Sequence, residues 1–201
     1  MNKKETGKRV IRAKFDPNSI TVYQAFSDSI AKPAIQAQTF VHPFKMERMT
    51  WIKPSFLWMM YRSGWATKEN QERILAIRIK REGFEWALRH SCLSHFDQAV
   101  HVSKEEWRNS LLKSPTRIQW DPEKDIHLRP LSYRSIQIGL SGTAVHKYIS
   151  EWILSIKDIT NISLSIRECI ASNEIDRAYS LMPFERHYPL SNSVASTIGA
   201  Y

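Results

Sequence analysis

The sequence predicts a single α+β domain over residues 1–190, a mixed and mostly antiparallel sheet flanked by helices, followed by a flexible tail over 191–201. Three observations predict it. Extended segments rich in β-branched residues alternate with segments of helical period. RIQW (117–120) and RSIQIGL (134–140) are joined by a loop with no helical period, which argues against a doubly wound parallel sheet. Finally, 201 residues with 42% apolar content suit one core, large enough to bury roughly 70% of the unfolded surface.

The first strand is ITVYQAF (20–26), after the turn residues Asp16-Pro17-Asn18. Alternation puts Ile20, Val22, Gln24 and Phe26 on one face and Thr21, Tyr23 and Ala25 on the other. Ser27 or Ser29 then caps a helix to about Gln38. In RMTWIKPSFLWMMYRSGWA (48–66), Met49 to Ile52 reads as extended and Lys53, before a proline, is biased away from helical geometry. Pro54 suits the first position of a helix that ends at Gly64. ILAIRIK (74–80) is a second strand, with a helix near Phe84–His90 behind it. Ser103 and Glu106 form a capping box, and Val102 with Trp107 fits the accompanying hydrophobic staple, so a helix is expected over 104–112.

In the later part of the chain, RIQW is expected to end at the turn Asp121-Pro122. RSIQIGL alternates, with Ile136, Ile138 and Leu140 opposed to Ser135, Gln137 and Gly139. Residues 144–157 carry Val145, Tyr148, Ile149, Trp152, Ile153 and Ile156 at helical spacing and predict an amphipathic helix. Shorter helices follow Thr160 and Asn173, and regular structure is expected to stop at MPFERHYPL.

Composition excludes several function classes. No run approaches the ~18 apolar residues of a membrane span, and MNKKETGKRV lacks the apolar core of a signal peptide, so a cytoplasmic protein is expected. Cys92 and Cys169 have no CxxC partner, which argues against a zinc site or a disulfide framework. The net charge of +9 favours a polyanionic partner, although apart from Lys3, Lys4, Lys8, Arg9, Arg12 and Lys14 the positive charge is scattered. GxGxxG, GxxxxGK[ST], GxSxG and HExxH are all missing, and the seven histidines form no i, i+4 pair.

The polar residues with chemical potential cluster at the strand-to-helix junction. Free backbone amides after Pro54, with Thr50, Lys53 and Ser55, would make an anion site able to take a phosphate or pyrophosphate. The same residues would equally serve as solvated caps above a core of Trp51, Phe56 and Trp58. Arg48 and Arg62 either add charge-assisted contacts to that anion or are ordinary solvated ends of elements. Gln137 sits mid-strand between Ser135 and Gly139, where a ligand could approach the backbone, or on an exposed edge. Gln24 carries the same two readings.

The strings TVYQAF, RMTWIKPSFLWMMYRSGWA, QERILAIRIKREGF, QWDPEKD, RSIQIGL and PFERHYPL resemble the bacterial and fungal family catalogued as domain of unknown function 4291, from about Arg9 to Leu190. That family brings no established activity. The order of elements is more loosely similar to ADP-ribosyltransferase folds, in which a first strand carries an NAD contact, a second strand running into a helix carries a Ser or Thr, and a late strand carries the catalytic glutamate. The similarity implies NAD as ligand, with no metal. It puts Tyr23 and Gln24 at the first position, with Tyr23 stacked on nicotinamide. Arg48 and the helix start after Pro54, within Thr50 to Ser55, would take the pyrophosphate, and Gln137 would stand at the catalytic position. Glutamine there departs from the pattern, because a neutral amide holds a ribose but does not act as a base. The alternative is a non-enzymatic nucleic-acid-binding module using the basic N-terminus and exposed aromatics.

Overall fold

The computed structural model describes residues 8–201; Lys3 and Lys4 of the N-terminal basic cluster lie outside them. The chain forms an α+β domain in which the expected mixed, mostly antiparallel sheet is divided in two. In one sheet, β2 (Ser19–Phe26, following the two-residue β1 at Arg12–Ala13) pairs antiparallel with β4 (Arg73–Lys80), which pairs antiparallel with β8 (Ile153–Asp158). In the other, β3 (Thr50–Ile52) is followed by β7 (Pro130–Leu140), β6 (Thr116–Lys124) and β5 (Ser91–Leu93), with only β5–β6 parallel. A short ribbon joins β1 to β9 (Arg186–His187).

The two sheets meet at one antiparallel bridge. Tyr23 N–H donates to Lys53 O at 2.7 Å, and Lys53 N–H returns the bond to Tyr23 O at 3.3 Å. Residue 53 is thus pinned where β3 ends, immediately before the proline that prevents helical continuation. Pro54, expected at the first helical position, instead lies one residue before the N-cap, which is Ser55, and α2 runs over Phe56–Ser63. Gly64 closes the helix in the left-handed conformation, donating back to Met60 O and Tyr61 O, as the sequence requires.

The other helices are α1 (Asp28–Ala37), α3 (Arg81–Arg89), α4 (Lys104–Lys113), α5 (Thr143–Lys147), α6 (Thr160–Ala171), α7 (Ile175–Leu181) and α8 (Asn192–Ile198). Ser103 Oγ accepts the Glu106 N–H at 3.1 Å, as the capping box predicts. The staple does not form, since Val102 is 93% exposed.

Three expectations are corrected. The continuous helix over 144–157 is instead α5, a π-helical turn at Tyr148–Trp152 and then β8. Ile153 and Ile156 fit a helical stripe, yet they also sit opposite Ile79 and Ile77 across β4, where cross-strand packing and ladder bonds prevail. The turn expected at Asp121-Pro122 is also absent, because β6 runs through to Lys124. Its pairing with β5 stops at Ile118, so Pro122 needs to donate no ladder bond on that edge, and the register shift after it absorbs the irregularity. Last, residues 191–201 are not a loose tail. Ser191 caps α8, Val194 and Ile198 are buried, and Trp120 Nε1 donates to Ile198 O at 2.7 Å.

The principal core lies between β2–β4–β8, the inner face of β6 and β7, and helices α1, α3, α5 and α8. A second cluster gathers Tyr23, Phe56, Met59, Met60, Trp65 and Ile74 against α6 and α7. Most of the tryptophan-rich string is therefore core, with Trp58 and Trp65 buried and Trp51 half-buried.

Candidate functional site

Where the two sheets diverge from the Tyr23–Lys53 bridge, they leave a polar cleft of about 520 Å³. Its walls carry Gln24 and Phe26 from β2, Thr50 and Trp51 from β3, Lys53, Arg62 from α2, Gln119 from β6 and Gln137 from β7. Strand alternation accounts for the convergence: β6 and β7 pair Gln119 directly with Gln137 on the face opposite the buried Ile118, Ile136 and Ile138. The space beside Gly139 on the same face is filled by Met49 and Trp51, since a side-chain carbon there would come within 2.6 Å of Met49 Sδ and 3.0 Å of the Trp51 ring, so the expected approach of a ligand to the backbone at this residue is closed.

The two glutamines grip one carboxylate. Gln119 Nε2 donates to Asp121 Oδ1 at 2.9 Å and Gln137 Nε2 donates to Asp121 Oδ2 at 2.7 Å. With their amide nitrogens so engaged, the glutamine carbonyl oxygens are the acceptors left to the cleft. On the facing sheet, Gln24 is fixed at both ends. It donates to Thr50 Oγ1 at 2.7 Å and accepts from the Tyr148 hydroxyl at 2.9 Å.

Lys53 is the most perturbed group in the cleft. It is 5% exposed, its Nζ donates to Trp51 O at 3.2 Å and lies 5.4 Å from the Trp58 ring centroid. Burial, reinforced by the Arg62 charge and only partly countered by Asp121, lowers its pKa to about 7. Arg62 is exposed at the rim, so the cleft holds one permanent cation outside and one weakened cation inside.

The predicted residues are thus divided. Gln24, Thr50, Lys53, Arg62 and Gln137 come together in the cleft. Tyr23, next to Gln24 but on the opposite strand face, is 2% exposed and packs edge-on against Phe56 with ring centroids 5.7 Å apart. The aromatic surfaces facing the cleft are Trp51 and Phe26. Arg48 stands exposed in the loop before β3 and does not line the cleft.

Ser55 belongs to a different chamber, of about 680 Å³, beyond Pro54. Its hydroxyl accepts the Trp58 N–H at 3.1 Å and donates to Glu123 Oε1 at 2.9 Å. The Phe56 N–H donates to Glu185 Oε1 at 2.8 Å. The acceptor that a bound anion was expected to provide at this helix N-terminus is therefore supplied by the chain itself, and the start of α2 is already capped. Burial and the neighbouring Glu123 charge push Glu185 up to about 8, and burial raises Glu123 as well. Arg12 and Tyr133 complete this chamber.

The sequence pattern does not single out Gln119, Glu123 or Glu185, and it reads Asp121 as a turn residue. Extending the period-two pattern of RIQW by one residue puts Gln119 and Asp121 on one face, and the β6–β7 register then sets that face beside Gln137. Glu185 carries no such signal, because it reaches Phe56 across 129 positions of chain. Among the described residues no group of three or more His, Cys, Asp or Glu is placed to hold a metal ion, and no helix is long and apolar enough to cross a membrane.

Fold and cleft together define an α+β domain whose two sheets enclose a polar pocket with a cationic rim. The chain belongs to the family described as Domain of unknown function (DUF4291), whose model matches residues 10–188. A search of curated proteins returns no match.

Proposed function

We propose that the cleft between the sheets binds a nucleotide, with NAD the first ligand to test, and that the chain is an ADP-ribosyltransferase-like transferase. One observation carries this reading: Gln24, Thr50 with Lys53, and Gln137, which come from three strands of two sheets, line one cleft in the order that such folds use. The volume, about 520 Å³, falls in the usual range for small-ligand sites, roughly 300–1,000 Å³.

Arg62 is the cation for the pyrophosphate, replacing the self-capped start of α2 and the distant Arg48. Trp51 and Phe26 offer the ring faces on which a base or nicotinamide stacks, in place of Tyr23. The carbonyl oxygens of Gln119 and Gln137 accept from ribose hydroxyls, and Asp121, locked by both amides, sets their orientation. NAD supplies a sugar whose anomeric carbon gains positive charge as nicotinamide leaves. The Asp121 carboxylate and the two carbonyl dipoles favour that charge.

Thermal-shift measurements with NAD, ADP-ribose, nucleoside triphosphates and short oligonucleotides test this, followed by mass spectrometry for released nicotinamide. NAD or ADP-ribose should raise Tm for the intact protein, and Gln137→Ala should lose most of the rise. A salt-sensitive shift with oligonucleotides and none with nucleotides would replace the proposal by nucleic-acid binding, which the net charge of +9 would then explain.

A further inference from the structure

Lys53 has a property that phosphate binding does not require. A buried lysine normally pairs with a carboxylate, because an isolated ammonium in a dry site is costly. Lys53 is 5% exposed, yet among the described residues its Nζ forms no ion pair and meets a single acceptor, the Trp51 carbonyl at 3.2 Å. The side chain nonetheless lines the wall of an open cleft and is not sealed in core. Its backbone is held on both sides by the Tyr23 bridge, so the amine is presented from a fixed position. Among the described residues lining the same cleft, Arg62, at the exposed rim, is the other cation.

From this arrangement we infer that Lys53 is an imine-forming amine, capturing the aldehyde or ketone carbonyl of a ligand whose phosphate or carboxylate is held by Arg62. In the step, the Nζ lone pair forms the C–N bond, the carbonyl oxygen takes both amine protons, and that oxygen departs as water. No oxidant, reductant or external base is needed. The near-neutral pKa of about 7, caused first by burial and then by the Arg62 charge, supports the assignment by leaving a substantial neutral fraction at physiological pH. It also bears on the glutamine at position 137: the neutral fraction of the amine needs no carboxylate there to remove a proton. The inference rests on the cleft as an anion-binding site but not on NAD as its ligand.

Reductive trapping tests it. The intact protein is incubated at pH 7 with limiting glyceraldehyde 3-phosphate and sodium cyanoborohydride, and the modified lysine is mapped by peptide mass spectrometry. Uncharged glyceraldehyde is run in parallel. The adduct should concentrate on Lys53 and form at least about tenfold faster with the phosphorylated aldehyde, and Arg62→Ala should abolish that preference. The labelling rate at Lys53 should reach half its maximum near pH 7, whereas exposed lysines continue to gain rate to about pH 10. Lys53→Met, checked for folding by its melting transition, should leave only the slow surface labelling. An adduct spread over exposed lysines with Lys53 unmodified would overturn the inference, as would equal rates with both aldehydes. A failed NAD shift with Lys53 labelled would remove the nucleotide proposal alone.

Discussion

Lys53 and Ser55 are separated by one proline, and the chambers they enter treat charge in opposite ways. On the Lys53 side an amine faces a polar cleft and, among the described residues, makes no ion pair, with the Asp121 carboxylate acting on it only through space. On the Ser55 side Glu123 and Glu185 crowd together around the start of α2, where the Phe56 and Trp58 amides are bonded to Glu185 and Ser55. The acids and the base never meet, so each side quiets its charge by shifting its own proton equilibrium. A strand-to-helix junction can therefore hold a weakened base and a weakened acid within three residues. The side whose carboxyls are bonded to the chain is the structural one, and the side whose amine has a carbonyl partner but no ion pair is the one suited to a ligand.

The largest expected effect breaks the cation side. The Lys53 amine titrates near 7 in the fold against 10.5 in the unfolded chain, so the unfolded chain holds more protons between those values and stability rises with pH across that window. The cost of burying this amine is complete at and below pH 7, up to about 5 kcal/mol. Lys53→Met should raise stability in denaturant melts at pH 7, and the gain should shrink toward pH 10. No gain at pH 7 would mean that the amine is paired or solvated.

The mirror experiment is on the acid side and has the opposite slope. Glu185 titrates near 8 in the fold against 4.5 unfolded, so the fold holds the extra proton and stability falls as pH rises from 4.5 through 8. Glu185→Gln keeps an acceptor for the Phe56 N–H. Allowing for partial exposure, it should stabilise by roughly 1–3 kcal/mol above pH 8 and by nothing measurable below pH 4.5. Ser55→Ala ranks next. It removes the cap on Trp58 N–H and the donor to Glu123, and should cost about 1–2 kcal/mol in the same melts. Gln137→Ala is the mildest for stability, about 0.5–1.5 kcal/mol for one lost bond to Asp121, so that its effect on ligand binding can be read without unfolding.

Much of this was legible in the sequence where local chemistry decides the structure. Ser103 with Glu106, Gly64 as helix stop and the alternation of 20–26 all specify conformation within a few residues. The alternation of 20–26 and 134–140 assigned Gln24 and Gln137 to the faces they keep, but no local pattern brings them to Thr50 and Lys53. Failures arose where a distant partner outranked the local pattern. Ile153 and Ile156 carry a helical spacing that β4 converts to a strand. Asp121-Pro122 looks like a turn until β7 and an open edge make a proline tolerable in β6. The start of α2 looks like an anion site until Glu185 arrives from the far end of the chain. Tyr23 was placed on the correct face, but that face is the second core, where its ring is covered by Phe56.

The two hydrogen bonds between Tyr23 and Lys53 also act as a clasp. The sheets share no other backbone pairing among the described residues, and the Gln24 Nε2–Thr50 Oγ1 bond beside it joins the same two strands, so separating the sheets at this edge lengthens all three bonds. Water reaching the clasp would reach the Lys53 amine in the same movement and restore its affinity for a proton. Breathing of the domain and the chemistry of its cleft are thereby geared together. Amide hydrogen exchange at Tyr23 and Lys53 would report both at once.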